Sequence, residues 1–596
     1  MAQQVYDDEI LGKAFDAGLT RKALVFIRPY WKTIGLAFFT MLLTTAATLS
    51  SPQIVRYAID QGMGKSDAHA VGAAALAYIL VWLLYLVSQN RQSVIISWLG
   101  QQVIFDIRKT LFAHIQNLSL DFFDKREIGR IISRLTSDID ALNQMLTTGG
   151  LTLFVDIFTT ITVVIVLVRM NLKLTLMILT LTPFIWIVTS VFRSKARVAY
   201  RDIRRKVATV TAHVAENVSG VKVVKSFSRE GENLRRFKRV NQENRDAIMY
   251  AVKIGAIFGP TIEMIFAIGT CMILWYGGVK IAQGTLTVGE LAGFSLYLNL
   301  FFDPIRRMSA FYQTMQGAMA GAERIFEILD TKSSVADKPN AIILPRVQGD
   351  VEFDKVHFAY GEKPVLQGLS FSAKAGETIA VVGPTGAGKT TIISLLGRQY
   401  EIQDGSIRID GTDIRDVTLK SLRRQIGVVL QDSFLFPGTV RENIRYGRLD
   451  ATDQEVEAAA KAVGAHEFIS KMAKGYEEHI HEGASNISSG QKQLMSFARV
   501  LLADPRILVL DEATSSIDTA TELLIQEALR KLLEGRTSFV IAHRLSTISE
   551  ADKIMVIQDG QLVEIGTHAE LLERAGLYRK LHDIQFAADQ EIAGGL

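Results

Sequence analysis

Two unlike halves are predicted by the sequence: an all-α membrane domain of six spanning helices, followed by an α/β domain. Three observations predict them. Apolar stretches of about 20 residues, the length that crosses a bilayer core, recur six times before residue 312 and not after it. Basic residues crowd into two of the connections between those stretches. Beyond Lys332 short β-branched runs alternate with helical patterns, the mark of an α/β domain.

The averages conceal this division. The 596 residues are 48% hydrophobic and 21% charged, and the mean hydropathy is +0.20. Such values exclude disordered, collagen-like and disulfide-stapled chains. A net charge of +4 from 66 basic and 62 acidic residues gives no ground for a nucleic-acid partner. The single cysteine, Cys271, can form neither an internal disulfide nor a Cys-rich metal site.

The expected spans are Thr33–Leu49, Val71–Trp98, Leu151–Val168, Leu174–Val191, Ile254–Gly277 and Leu291–Phe311. Only Arg169–Lys173 separates the third from the fourth, which predicts a tight helical hairpin. The two long connections, Gly100–Met145 and Phe192–Lys253, carry 22 Lys and Arg against 5 in the three short ones. Cytoplasmic segments hold the excess of positive charge, so the long connections and both termini face inward, in a cell membrane. Few helix breakers interrupt the long connections, so the helices are expected to continue past the bilayer. Leu118–Phe123 and Ser226–Glu230, near their middles, are expected to contact what lies below. Residues 1–16 are acidic and do not read as a signal peptide, and Arg21–Trp31 is expected to lie along the inner membrane surface. Expected boundaries are a membrane domain over 1–325, a linker over 326–345, the α/β domain over 346–585 and a tail over 586–596.

In the α/β half, Glu377–Val382 reads as a buried strand and runs directly into Gly383-Pro384-Thr385-Gly386-Ala387-Gly388-Lys389-Thr390-Thr391, then a helical run. This is the phosphate loop GxxxxGK[ST] in the strand-to-helix setting it requires. Its glycines let backbone N–H groups turn inward beside a positive helix end. Lys389 then supplies a point charge to the β- and γ-phosphates, and the Thr390 hydroxyl can ligate Mg²⁺. A second apolar strand ends in two carboxylates, Asp511 and Glu512. Strand alternation sends them different ways, so Asp511 suits the metal and Glu512 the general base that addresses a water.

Between these elements lies Asn486-Ile487-Ser488-Ser489-Gly490-Gln491. The combination resembles the ATP-binding cassette (ABC) family, and six spans followed by one cassette resemble an ABC exporter half-transporter of the type IV fold. The resemblance implies ATP and Mg²⁺ and assigns further residues. Tyr360 resembles the aromatic that stacks on adenine. Gln431 resembles the glutamine that senses Mg²⁺ and the attacking water, and His543 the switch histidine at the γ-phosphate. Ser515–Asp518 occupies the place of the loop that crosses between cassettes. Ser488, Gly490 and Gln491 are implied to close over the phosphate loop of a second cassette, so that ATP is held between two head-to-tail chains.

Where the family has Leu-Ser-Gly-Gly-Gln, this chain has Ile487 and Ser489. An intact base beside an altered signature resembles one subunit of a heterodimer; a homodimer that tolerates the serine is the alternative. The implied activity is ATP-driven export of amphipathic drugs or lipids by alternating access, with a lipid-flipping homodimer or an ABC-derived channel as alternatives. Within the spans, Glu263, Phe258 and Trp275 are candidates for a substrate cavity, because an ionisable group in lipid is costly and a carboxylate among aromatics suits amphipathic cations.

Overall fold

A computed structural model describes residues 17–145, 147, 151–431, 433–511, 519–541 and 548–584. The chain divides into two compact units, one of residues 1–114 and 129–330, the other of residues 115–128 and 331–596.

Among its described residues the first unit has helices and no strand. Five helices of the described residues are long and apolar enough to cross a membrane: Gly18–Met63, Ala68–Gln116, Leu153–Met170, Leu172–Ser219 and Glu230–Ala282. The sixth expected span lies within one continuous helix, Val288–Asp330. Lengths decide how far these helices reach. The 53 residues of Glu230–Ala282 extend about 80 Å at 1.5 Å per residue, far beyond a hydrocarbon core of about 30 Å.

The hairpin is tighter than its sequence suggests. Helix Leu151–Met170 ends one residue before the next begins, and the only connector is Asn171, whose side chain accepts the Leu174 N–H at 3.1 Å as an N-cap. A break follows at Thr180–Leu181, where Pro183 sits in the first turn of Thr182–Ser219 and cannot continue the preceding hydrogen bonds. At the outer ends, Asp60 accepts Thr287 Oγ1 at 2.7 Å and Gly289 N at 2.8 Å, while Arg56 pairs with Glu290. These contacts bind the first long helix to the last. Arg56 and Asp60 belong to the same turn, where the first helix widens to a π turn over Ala58–Met63. Deeper in the bundle Phe294, Tyr297, Leu298, Phe301 and Phe302 pack against Leu167, Leu174 and Ile273. Phe301 and Phe302 belong to this packed core.

The second unit has two larger sheets and a two-stranded one that pairs β7 (Gly438–Thr439) with β8 (His479–Ile480). Strands β1 (Val351–Tyr360), β2 (Lys363–Ala373), β4 (Asp404–Ile409) and β5 (Thr412–Asp413) form one in the order β2-β1-β4-β5, all antiparallel. The other runs β12-β11-β3-β10-β9-β6. Its members are β3 (Thr378–Val382), β6 (Ile426–Val429), β9 (Ile507–Asp511), β10 (Thr537–Ile541), β11 (Lys553–Gln558) and β12 (Gln561–Gly566). All pairs are parallel except β11 with β12.

Buried β-branched strands serve two cores because successive side chains point to opposite faces. Ala380, Val382, Leu508, Leu510, Val540 and Val556 face one core, which also takes in the helices of residues 440–503. Ile379, Val381, Ile507, Val509, Phe539 and Ile557 face the other. Register places the carboxyl ends of four strands together: Ile541 lies opposite both Asp511 and Val381, and Val429 opposite Leu510. The carboxyl ends of β3, β6, β9 and β10 therefore share one edge of the sheet, the place where open parallel sheets bind ligands.

Candidate active site

The phosphate loop leaves this edge from β3. Gly383 has φ +154°, and a Cβ there would stand 2.1 Å from the carbonyl oxygen of Ile557. Gly388 has φ +101° and caps the helix Lys389–Leu396 in a left-handed conformation, with Leu366 Cδ2 2.9 Å from where its Cβ would be. Only glycine fits either position. The loop thus wraps around space at a helix N-terminus, where inward N–H groups favour anions.

Lys389 spans this loop. Its ammonium donates to the carbonyls of Gly383 at 2.7 Å and Pro384 at 3.0 Å. Burial lowers its pKa below that of an ordinary lysine, and the carboxylate of Asp511 opposes the shift. Asp511, at the end of β9, is therefore within electrostatic reach of the phosphate loop. Thr390 is exposed beside Lys389, and Thr391 is buried behind it. Thr385, Gly386 and Ala387 complete the turn, with Ala387 packed into the core. Gln431 follows β6 at the same edge and is exposed. Glu512, His543 and Ser515–Asp518 lie outside the described residues.

Tyr360 ends β1 with 41% of its surface exposed. Its ring stands edge-on to Phe358 at 4.8 Å and to Tyr400 at 5.2 Å, so one aromatic side is packed and the rest is open to stacking. Ser488 caps the helix Ser489–Ala503 through a capping box: Ser488 Oγ accepts Gln491 N, and Gln491 Oε1 accepts Ser488 N. Gly490 is buried in the first turn. Ser489 is exposed and has an ordinary helical backbone, so the serine strains nothing in its own chain.

Hard oxygen donors of the kind Mg²⁺ prefers are present in the Thr390 hydroxyl and the Asp511 carboxylate, with the Gln431 amide at the same edge. Among the described residues no three His, Cys, Asp or Glu side chains converge on a metal position. The donor set therefore fits an ion held largely by phosphate and water rather than by a protein cage.

Two family models match the chain. Residues 34–305 match the ABC transporter transmembrane region, and residues 366–515 match the ABC transporter family. The chain is 43% identical over 586 residues, 97% of its length and 96% of the relative's, to YknV, an uncharacterized ABC transporter ATP-binding protein of Bacillus subtilis (strain 168).

This chain belongs to the ABC transporter family.

Within that family the ABC exporters are its relatives. It is 37% identical over 570 residues, 96% of this chain and 95% of the other, to an ATP-dependent lipid A-core flippase of Syntrophus aciditrophicus (strain SB). Its fold is similar to that of a bacterial Atm1-family ABC exporter with ATP bound, with a TM-score of 0.78 and 31% identity over 93% of this chain and 98% of that one. The protein is an exporter half-transporter: a multi-pass membrane unit and an ATP-binding cassette on one chain, with ATPase activity coupled to translocation. The ATP-binding family match covers the phosphate loop, Gln431, Ser488–Gln491, Asp511 and Glu512, but neither Tyr360 nor His543.

The three substrate candidates of the membrane unit lie along one helix, Glu230–Ala282. Phe258 stacks on Phe192 at 4.0 Å. Glu263 is exposed on the same helix, and Trp275 is 72% exposed on its outer half. A cavity of about 670 Å³ is lined by residues including Leu49, Gln53, Tyr57, Ala74 and Tyr297. Tyr400, which the sequence reading passed over, packs on Tyr360 and bonds Asp124, 276 residues earlier in the chain. No local pattern signals a contact across such a separation.

Proposed function

We propose that this ABC exporter moves amphipathic lipids or drug-like molecules across the cell membrane by alternating access, using ATP hydrolysed between two head-to-tail cassettes. The observation that carries the reading is the gathering of the phosphate loop, Gln431 and Asp511 at one sheet edge of a chain that also has helices of membrane-crossing length. The flippase relative supports an amphipathic lipid as substrate.

In this reading ATP stacks its adenine on Tyr360 and lays its phosphates over the N–H groups of Gly383–Thr391. Lys389 exchanges its loop carbonyls for the β- and γ-phosphates. Thr390, Gln431 and Asp511 would hold Mg²⁺, which would supply neutralisation of phosphate charge. Glu512 accepts a proton from the attacking water, and His543 donates a hydrogen bond to the γ-phosphate. Positioning and charge neutralisation supply most of the rate in phosphoryl transfer, so each group acts through its placement. Ser488, Gly490 and Gln491 close over the nucleotide of the partner, and the capped helix behind them turns its positive end toward phosphate.

The partner is a second half-transporter, and Ser489 favours a different chain over a second copy. Because this serine is strain-free in its own helix, its effect falls on the nucleotide that the helix covers. That nucleotide belongs to the partner's phosphate loop. The homodimeric flippase remains the second reading, supported by the flippase relative.

Purified alone and reconstituted in liposomes, the chain tests both points. Little ATP-dependent movement of a fluorescent phospholipid or an amphipathic dye is expected from this chain alone, and full movement once its partner half-transporter is reconstituted with it. Ion conductance without such movement would overturn export, and a stable, fully active homodimer would overturn the heterodimer.

A further inference from the structure

The helix Ala17–Ile27 and the tight turn Arg28–Tyr30 precede the first long helix. Lys22 pairs with Asp330, and Phe26 packs on Phe326 with ring centroids 6.4 Å apart. This short helix therefore lies against the end of Val288–Asp330 from which the chain runs on into the cassette, on the cytoplasmic side. The 27 residues of Trp31–Tyr57 extend about 40 Å, close to the 40–45 Å or so of a bilayer with its headgroups. The turn at Arg28–Tyr30 thus falls at the level of the inner headgroups. Leu24, Val25 and Trp31 expose more than half of their surface there.

A cleft of about 470 Å³ lies between this segment and the inner end of helix Ala68–Gln116, with Val25, Phe26 and Pro29 on one side and Asp106, Lys109 and Ala113 on the other. Its polar groups are unequally engaged. Asp106 accepts the Tyr30 hydroxyl at 2.6 Å, and Thr110 Oγ1, also in the cleft wall, donates to the Asp106 carbonyl at 2.8 Å. Residues 17–32 carry Arg21, Lys22, Arg28 and Lys32 and no acid. Lys22 is paired with Asp330, Lys32 lies over the Trp31 ring, and Arg108 is paired with Asp140, whereas exposed Arg21, Arg28 and Lys109 have no ion pair among the described residues. Arg21 and Arg28 stand four residues before and three residues after Val25, so they share its helix face on the cleft.

We infer that this cleft binds one anionic phospholipid of the inner leaflet, its phosphate held by Lys109, Arg28 and Arg21 and its acyl chains laid on Val25, Phe26 and Pro29. Anionic headgroups concentrate in that leaflet and are attracted by basic side chains at the membrane surface. A zwitterionic lipid brings an ammonium that the three cations repel, and free phosphate lacks the chains that cover the apolar wall. The lipid is a resident ligand that ties the Ala17–Ile27 helix to Ala68–Gln116, distinct from cargo.

Native mass spectrometry of the delipidated full-length transporter, titrated with phosphatidylglycerol or phosphatidylcholine, tests it. One phosphatidylglycerol is expected to bind at least about fivefold more tightly than phosphatidylcholine, with about fivefold lost for each cation removed. Changing Arg21, Arg28 and Lys109 together to Gln should erase the preference while the ATPase rate of the detergent-solubilised protein stays within about twofold of wild type, which shows that the variant folds. Ala113→Phe keeps all three charges but fills the cleft, and is expected to lose the lipid as well. Arg197, Arg201 and Arg204, exposed cations that do not line the cleft, should be dispensable when changed to Gln together. An unchanged preference in the first variant or in Ala113→Phe, an equal loss in the Arg197, Arg201 and Arg204 variant, or displacement of the lipid by inorganic phosphate overturns the inference. Retention of the lipid through ATP turnover is expected, and its release with turnover would mark it as cargo and likewise overturn the inference.

Discussion

Lys389 turns its ammonium onto the carbonyl of Gly383, six residues earlier, at 2.7 Å. The lysine that is to meet phosphate thus braces the loop that is to hold it. Two consequences follow from its burial and its partners. Removing a charge-assisted contact costs about 1.5–3 kcal/mol, so Lys389→Ala should weaken ATP binding by roughly 10- to 150-fold in an equilibrium titration. Because burial lowers the Lys389 pKa, deprotonation begins at lower pH than for an ordinary lysine. ATP affinity should fall along that alkaline limb, and the limb should be absent in Lys389→Ala.

Glycines of the loop should not respond alike to alanine. At Gly383 the new Cβ meets a backbone oxygen at 2.1 Å, so Gly383→Ala must displace β11 or the loop. Loss of nucleotide binding and a lower thermal midpoint are expected. Gly386 has φ +83° but nothing within 4 Å of a Cβ. Gly386→Ala should cost only the left-handed strain, about 1–2 kcal/mol, and keep measurable binding.

Glu512→Gln should abolish or nearly abolish ATP turnover while ATP still binds, since the amide cannot take a proton from water but nearly matches the carboxylate in size. Hydrolysis at the wild-type rate in this variant would remove Glu512 from the role of base.

In the membrane unit Asp138 is 6% exposed and receives two hydrogen bonds from the guanidinium of Arg324, one of them at 2.8 Å. Taking away one partner leaves a buried charge uncompensated, at a cost of about 3 kcal/mol. Arg324→Ala should lower the thermal midpoint of the solubilised transporter. The double variant Asp138→Asn with Arg324→Met should recover much of that loss, because neither charge is then left alone.

Local chemistry made a large part of this protein legible in its sequence. Hydrophobic length announced the spans, and charge asymmetry gave their orientation. The run Gly383–Thr391 named the phosphate loop, because a backbone that wraps phosphate requires glycines at fixed spacing within one short segment. The Arg169–Lys173 hairpin was also visible, although its reduction to the single connector Asn171 needed the N-cap geometry.

What the tertiary structure decided are the relationships between distant segments. Strand order β11-β3-β10-β9-β6 brings Gln431 and Asp511 to the edge where the loop begins, and no sequence spacing encodes strand order. Packing, rather than hydrophobicity, assigned Phe301 and Phe302 to the bundle core. Likewise, an aspartate in a cytoplasmic connection and a tyrosine 276 residues later form one hydrogen bond only because folding sets them side by side. The sequence determined which chemistry each segment can perform, since that depends on side chains near one another in the chain. Which segments act together depends on long-range packing, and that only the folded chain decides.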